Sequence, residues 1–230
     1  LIIVHHHPFL APCRFVRLAL AEHAITMDLR VEPFWEGRPE FFAVNPGLTL
    51  PMLTDGGRNP VIGAMAAMEY IDERYGATRP GHRLMPADPF ARAEVRRLVE
   101  WFVHKYEEEV AGPLVTERIL KVEIPSKKGG GAPDTQAMRI ARSNAVSHAH
   151  YLGTLAAQRK WLAGDTFSFA DLAAAAAFSV VDYLGEAVWG ADPAVKGWYQ
   201  KLKSRPAFRP LLLDKARLVP PAPHYADLDF

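Results

Sequence analysis

The chain has 230 residues, 49% of them hydrophobic, with 27 lysines and arginines against 26 aspartates and glutamates. That size suits two small domains, the hydrophobic share excludes general disorder, and the near-zero net charge gives no footing for nucleic acid or an anionic surface as the main partner. The single cysteine, Cys13, excludes an intramolecular disulfide and fits a reducing cytoplasm, while the absence of a signal-like N-terminus or of 18 consecutive apolar residues predicts neither export nor membrane insertion.

The first stretch reads as strand, loop and helix. Leu1 to Val4 is a β-branched apolar run, Pro8 and Pro12 bracket a loop, and helical spacing begins at Cys13 with Phe15, Val16, Leu18 and Leu20. His5, His6 and His7 follow the strand. Strand neighbours point to alternate faces, so only His5 and His7 can converge, and no nearby carboxylate or thiol completes a ligand set; no metal site is expected. Cys13 is either a small buried core residue or a reactive thiol, since a helix N-terminus lowers a thiol pKa.

Met27 to Phe34 alternates apolar and charged residues, which predicts a half-buried strand that Pro33 ends or forces to an edge. Phe34 to Pro39 is a loop in which Trp35 either caps the local core or, with Glu36 and Arg38, anchors a partner. Pro39 to Asn45 reads as a short helix. Asp55-Gly56-Gly57 between Met52–Thr54 and Pro60–Ile62 is a hairpin signal, and Gly63 to Tyr75 is helical. The order βαβαββα thus fills a domain over 1–76. The aperiodic stretch 77–87, with Pro80, Gly81 and Pro86, reads as a linker.

Residues 88–218 read as all helical. Asp88 caps a helix with Pro89 in its first turn, and Gly112-Pro113 should kink it. Glu107 to Glu109 read as a solvated face, and Ser126 to Pro133 as a flexible loop. Asp134 caps a helix whose stripe Met138, Ala141, Ala145, His148, Leu152 makes His148 a hydrogen-bonded core residue. Ser168 and Asp171 form a capping box, with Phe167 stapling toward Leu172, ahead of an alanine-rich helix suited to burial on all sides. Asp192-Pro193 opens a helix through Lys203, and Leu211 to Leu213 should pack back on the domain. The prolines of 219–230 favour an extended tail; Tyr225, Leu228 and Phe230 either clamp it to the body or present it to a partner.

Several of these segments resemble landmarks of the glutathione transferase family. Leu10-Ala11-Pro12-Cys13-Arg14 is similar to its Ser-Pro-Tyr-Cys-Arg helix-opening motif, Asn45-Pro46 to Leu50-Pro51-Met52-Leu53 to its cis-proline segment, and Trp161 to Leu172 to the start of its buried sixth helix. The resemblance implies a thioredoxin-like α/β N-terminal domain, an all-α C-terminal domain, and a cis Leu50-Pro51 bond turned toward the site. It also implies a degenerate glutathione site. Leu10 stands at the nucleophile position, and Gly63 and Ala64, aligned on Tyr70, replace the acidic residue and serine that hold the γ-glutamyl end. Each charge-assisted hydrogen bond so lost is worth roughly 1.5–3 kcal/mol. No cofactor is therefore expected; glutathione enters only under the alternative of a transferase or thiol reductase working through Cys13.

Arg205 to Leu212 and the tail resemble a cell-division branch of the family, found in alphaproteobacteria, whose members bind FtsZ filaments as cytoplasmic dimers. That resemblance implies a non-catalytic homodimer acting at the division site. Trp35, Glu36, Arg38, Glu117 and Arg118 would edge the filament-binding groove, and Tyr225, Leu228 and Phe230 would reach a second division protein.

Overall fold

A computed structural model describes residues 1–78 and 83–228; the linker's Pro80 and Gly81 and the tail's Phe230 lie outside the described residues. Strand β1 (Ile2–His6) is followed by helix α1 (Ala11–Glu22), which carries the chain to β2 (Met27–Val31), parallel to β1. Helix α2 (Pro39–Val44) precedes the antiparallel strands β3 (Met52–Asp55) and β4 (Val61–Ile62), and α3 (Ala64–Tyr75) closes the unit. The sheet order is β2-β1-β3-β4, with Ile2 opposite both Met27 and Asp55. This is the expected βαβαββα order, and the Leu50-Pro51 bond is cis.

β2 lies at the sheet edge. Its alternation does not produce the expected half-buried strand: Met27 is partly covered beside α1, while Leu29 and Val31 are exposed. An edge strand is covered only where a helix overlies it, and the periodicity of a sequence does not encode strand order.

The second half is helical. Helix α4 (Pro89–Glu100) starts at Asp88, whose carboxylate accepts from the Ala91 amide at 2.8 Å. It runs on through π-helical segments Trp101–Lys105, Glu107–Ala111 and Thr116–Leu120, interleaved with α5 (Gly112–Val115) and α6 (Lys121–Glu123). Pro113 has no N–H to offer the Glu109 carbonyl. That carbonyl accepts instead from Asn144 Nδ2 at 3.2 Å, so the helix widens around the proline and continues. Helices α7 (Thr135–Gln158), α8 (Phe169–Tyr183), α9 (Pro193–Lys203) and α10 (Arg209–Leu212) follow.

Two segments read as loops are more ordered than their composition predicts. Leu84 and Met85 of the expected linker are core residues, and the Leu84 carbonyl accepts from the Phe169 amide. The glycine-rich stretch is a tight turn: the amides of Gly129, Gly130 and Gly131 donate to Ser126, Pro125 and Lys121. A Cβ on Gly130 would fall 1.7 Å from the Ile124 carbonyl oxygen, so the glycine is there for close approach.

Helix α1 is buried on all sides from Cys13 to Leu20, between the sheet and α8, with Phe15 edge-on to Phe169 at 6.2 Å. Its two arginines therefore have no route to water and are met by partners. Arg14 donates to the Pro8 carbonyl, Ser179 Oγ, the Tyr225 hydroxyl and Asp214, and Arg17 donates to both Asp214 oxygens at 2.8 and 3.0 Å.

α8 is buried along its whole length, as the alanine-rich sequence predicts. Its capping box is present. Asp171 accepts from the Ser168 amide (3.1 Å), and also from the Leu162 amide (3.0 Å) and Trp198 Nε1 (3.1 Å). Phe167 lies against Trp161 and under the Arg205 guanidinium. Replacing Asp171 with alanine orphans several buried donors, each costing about 1–3 kcal/mol. The melting midpoint should fall by about 10 °C. An unchanged midpoint in calorimetry would show that Asp171 is not the keystone of this cap.

Candidate functional site

In this fold the place for chemistry is where β1 ends and α1 begins. Leu10 occupies the N-cap with an extended backbone and no side-chain cap bond, and its carbonyl accepts the amides of Cys13 and Arg14. Across from it the cis Pro51 carbonyl accepts from the Gly63 amide at 2.9 Å. Gly63, at the N-cap of α3, has φ +90°, a conformation that disfavours side chains, and Ala64 contributes only a buried methyl. Nothing at these positions accepts from an ammonium or donates from a side chain to a carboxylate.

Cys13 is fully buried, and burial pushes its thiol up to about 12. Of the two readings of Cys13, the fold shows the small buried core residue. The helix N-terminus alone would favour a thiolate, but desolvation disfavours the charged form more strongly in a site sealed by α8 and the sheet. Alkylation of native Cys13 with iodoacetamide at neutral pH should be slow and should speed up on unfolding. Rapid labelling of folded protein would return the thiol to the surface.

The three histidines do not form one set. His5 approaches Glu32 at 3.8 Å, and burial lowers its pKa. His6 is buried with Nδ1 lacking a partner among the described residues, and burial lowers it to about 3. His7 accepts from the Phe9 amide at Nδ1, which leaves Nε2 to donate to Glu123 at 2.9 Å. This last contact joins the two domains at the mouth of the site. The Trp35 ring packs edge-on against His7 (6.1 Å), and Lys128 Nζ reaches the Glu36 carbonyl at 3.5 Å. These contacts tie the segment Phe34–Glu36 and the stretch from Glu123 to Lys128 to one another beside the end of β1. Glu123 and Lys128 were not singled out by sequence, and His7 only as a metal candidate; contact across 92 or more positions is what marks them here.

The expected partner-binding residues separate into two groups. Trp35 is partly exposed and Glu36 exposed. Arg38 is half exposed, tethered by buried Glu32 through Nε at 3.1 Å. Trp35 and Glu36 lie beside His7 and Lys128, whereas Arg38 lines a separate hollow with His5, Phe41 and Met52. Glu117 is a correction. It is buried, accepts from the Asp134 amide at 2.6 Å and pairs with Lys121, fixing the start of α7 rather than edging a groove. Arg118 is likewise turned to the Leu184 carbonyl (2.9 Å) and Glu186 (3.0 Å) at the end of α8. Both sit on helix faces that pack against α7 and α8, a rotation that residue spacing alone left open.

The tail resolves toward the clamped alternative as far as it is described. Tyr225 is buried; its hydroxyl accepts from Arg14 and donates to the Leu211 carbonyl, both at 3.0 Å. His224 Nε2 meets Asp182 at 2.9 Å. Tyr225 is therefore not a presented anchor, because Arg14 needs its oxygen, whereas Leu228 remains partly exposed. Leu213 is another correction: it is exposed instead of packed back, since Asp214 beside it turns inward to the arginines of α1.

His148 behaves as expected. Its Nδ1 accepts from Trp101 Nε1 at 3.1 Å, and Nε2 meets Glu109 at 2.9 Å. Glu107 does not. Its Oε2 is shut off from solvent without a partner among the described residues, and burial raises its carboxyl to about 8. The π-helical winding around it turns a residue expected on a solvated face toward α1, where it adds to the raised pKa of Cys13.

Residues 4–79 match the model of the glutathione S-transferase N-terminal domain and residues 131–206 that of the C-terminal domain. The chain is 43% identical to FtsZ-localized protein A of Caulobacter vibrioides over 99% of this chain and 97% of that one. A crystal structure of a glutathione S-transferase from Sinorhizobium meliloti 1021 superposes with a TM-score of 0.98 at 50% identity, covering all of both chains. The structure of FzlA from C. crescentus superposes at 0.90 with 42% identity, covering 100% and 99%.

Proposed function

The chain belongs to the glutathione S-transferase family, and on that premise we propose that it is a non-catalytic, homodimeric binding protein that docks on FtsZ filaments in the cytoplasm and regulates division. Its full-length similarity to FtsZ-localized protein A carries this reading. The site supports it from the other side. Leu10, Gly63 and Ala64 offer glutathione no side-chain partner, Cys13 is sealed, and His7 and Glu123 join across the entrance.

The docking edge is Trp35, Glu36 and Arg38. Tryptophan and arginine are the side chains that most often dominate interface energetics, and Arg38 is held in place by Glu32 before any partner arrives. The tail beyond Tyr225, with Leu228 and Phe230, reaches a second division protein. A dimer meets a repeating filament at two points, which raises apparent affinity without new contacts.

Co-sedimentation with GTP-assembled FtsZ filaments tests the edge. The double variant Trp35→Ala, Glu36→Lys should lose about tenfold or more in binding. Its melting midpoint should stay near that of the wild type. Wild-type pelleting by that variant would remove the entrance from the account.

A further inference from the structure

Past α10 the chain turns through 213–219 with alternate residues anchored inward. Asp214 faces Arg14 and Arg17. The Ala216 amide donates to the Tyr183 hydroxyl at 2.9 Å, and that hydroxyl donates to the Val219 carbonyl at 2.7 Å. Leu213, Lys215, Arg217 and Leu218 are thereby left outside, and the two leucines are 78% and 69% exposed. Lys215 and Arg217 make no ion pair among the described residues. The one carboxylate of the segment, Asp214, is already neutralised by two guanidinium groups. The loop thus offers two unpaired cations between two protruding leucines, on a backbone fixed from within.

We propose that this loop is a contact site for an anionic lipid surface. Lys215 and Arg217 meet lipid phosphates, and Leu213 and Leu218 enter the boundary between headgroups and acyl chains. A net charge of +1 gives the chain no general attraction to such a surface, so the attraction resides in this loop. Leu213 stands clear of the body, and Leu218 rims an open hollow with Lys215, Arg217 and Val219 while staying mostly exposed. Exposed apolar side chains beside cations match the boundary of an anionic lipid surface, which takes both at once. The contact is peripheral: among the described residues no helix is long and apolar enough to cross a membrane. It does not rest on the filament reading.

Flotation of the full chain with vesicles tests this. The chain should float with phosphatidylcholine vesicles containing phosphatidylglycerol, and little with phosphatidylcholine alone. Added salt should weaken the association. Lys215→Glu with Arg217→Glu, and separately Leu213→Ser with Leu218→Ser, should each lower the bound fraction about tenfold. Both variants should melt with the wild type, since the exchanged side chains hold nothing in the fold. Absent flotation with anionic vesicles, or variants that float like the wild type, would overturn the assignment. Loss of FtsZ co-sedimentation in these variants without any flotation would overturn it too and give the loop to a protein partner.

Discussion

Glu107→Gln should be more stable than the wild type at alkaline pH, and the gap should grow as the pH rises. The folded carboxyl titrates near 8 against an ordinary value of 4.5, because burial disfavours its charged form. Between those values the folded state binds more protons than the unfolded one, so wild-type stability falls as the pH rises from about 4.5 and levels off above 8. The full span is worth about 5 kcal/mol. Glutamine has no charge to lose, so its curve lacks this slope. His6, neutral and buried with a pKa of about 3, costs stability at the acid end, equally in both proteins, and cancels in the difference. Denaturant titrations of both proteins at pH 5 and pH 9, roughly the limits of that span, measure the effect. Parallel curves would mean that the Glu107 carboxylate is solvated or paired.

Asp214→Ala should destabilise the chain by about 3–5 kcal/mol, the cost of leaving a buried charge unpaired. Asp214 is the only carboxylate within ion-pair reach of Arg14 and Arg17 among the described residues, and both guanidiniums are almost wholly buried. The remaining partners of Arg14 are neutral oxygens of Pro8, Ser179 and Tyr225, which bind the guanidinium without balancing its charge. The melting midpoint should drop by about 10 °C or more. Asp214→Asn should recover part of that, since its oxygen still accepts a hydrogen bond. An alanine variant within about 1 kcal/mol of the wild type would show that water reaches these arginines.

Local chemistry made much of this molecule legible. The caps at Asp88, Asp134, Ser168 and Asp192 stand where side-chain rules place them, because a cap is decided within four residues. The degenerate site was readable too, since Leu10, Gly63 and Ala64 lack the needed atoms in any conformation. What stayed hidden depends on tertiary burial. The burial of Arg14 and Arg17 leaves no mark in the local sequence, because their cover comes from Ser179 of α8, Asp214 and Tyr225. Glu107 lies on a helix whose π-helical turns break the 3.6-residue period, so its face could not be read from spacing, and the resemblance that put Glu117 at a groove carried no information on that winding.

The fold keeps the cis-proline loop and the strand-to-helix corner, and Leu10, Gly63 and Ala64 carry no side-chain group that could pair with glutathione's charged ends. Isothermal titration of the full chain with reduced glutathione tests that claim most directly. The account predicts no saturable heat up to millimolar ligand, roughly the scale at which a site stripped of two charge-assisted bonds would still be empty. Saturable binding at micromolar glutathione would contradict it, and would mean that backbone groups around Pro51 and Gly63 suffice to hold the thiol and that the site is still in use.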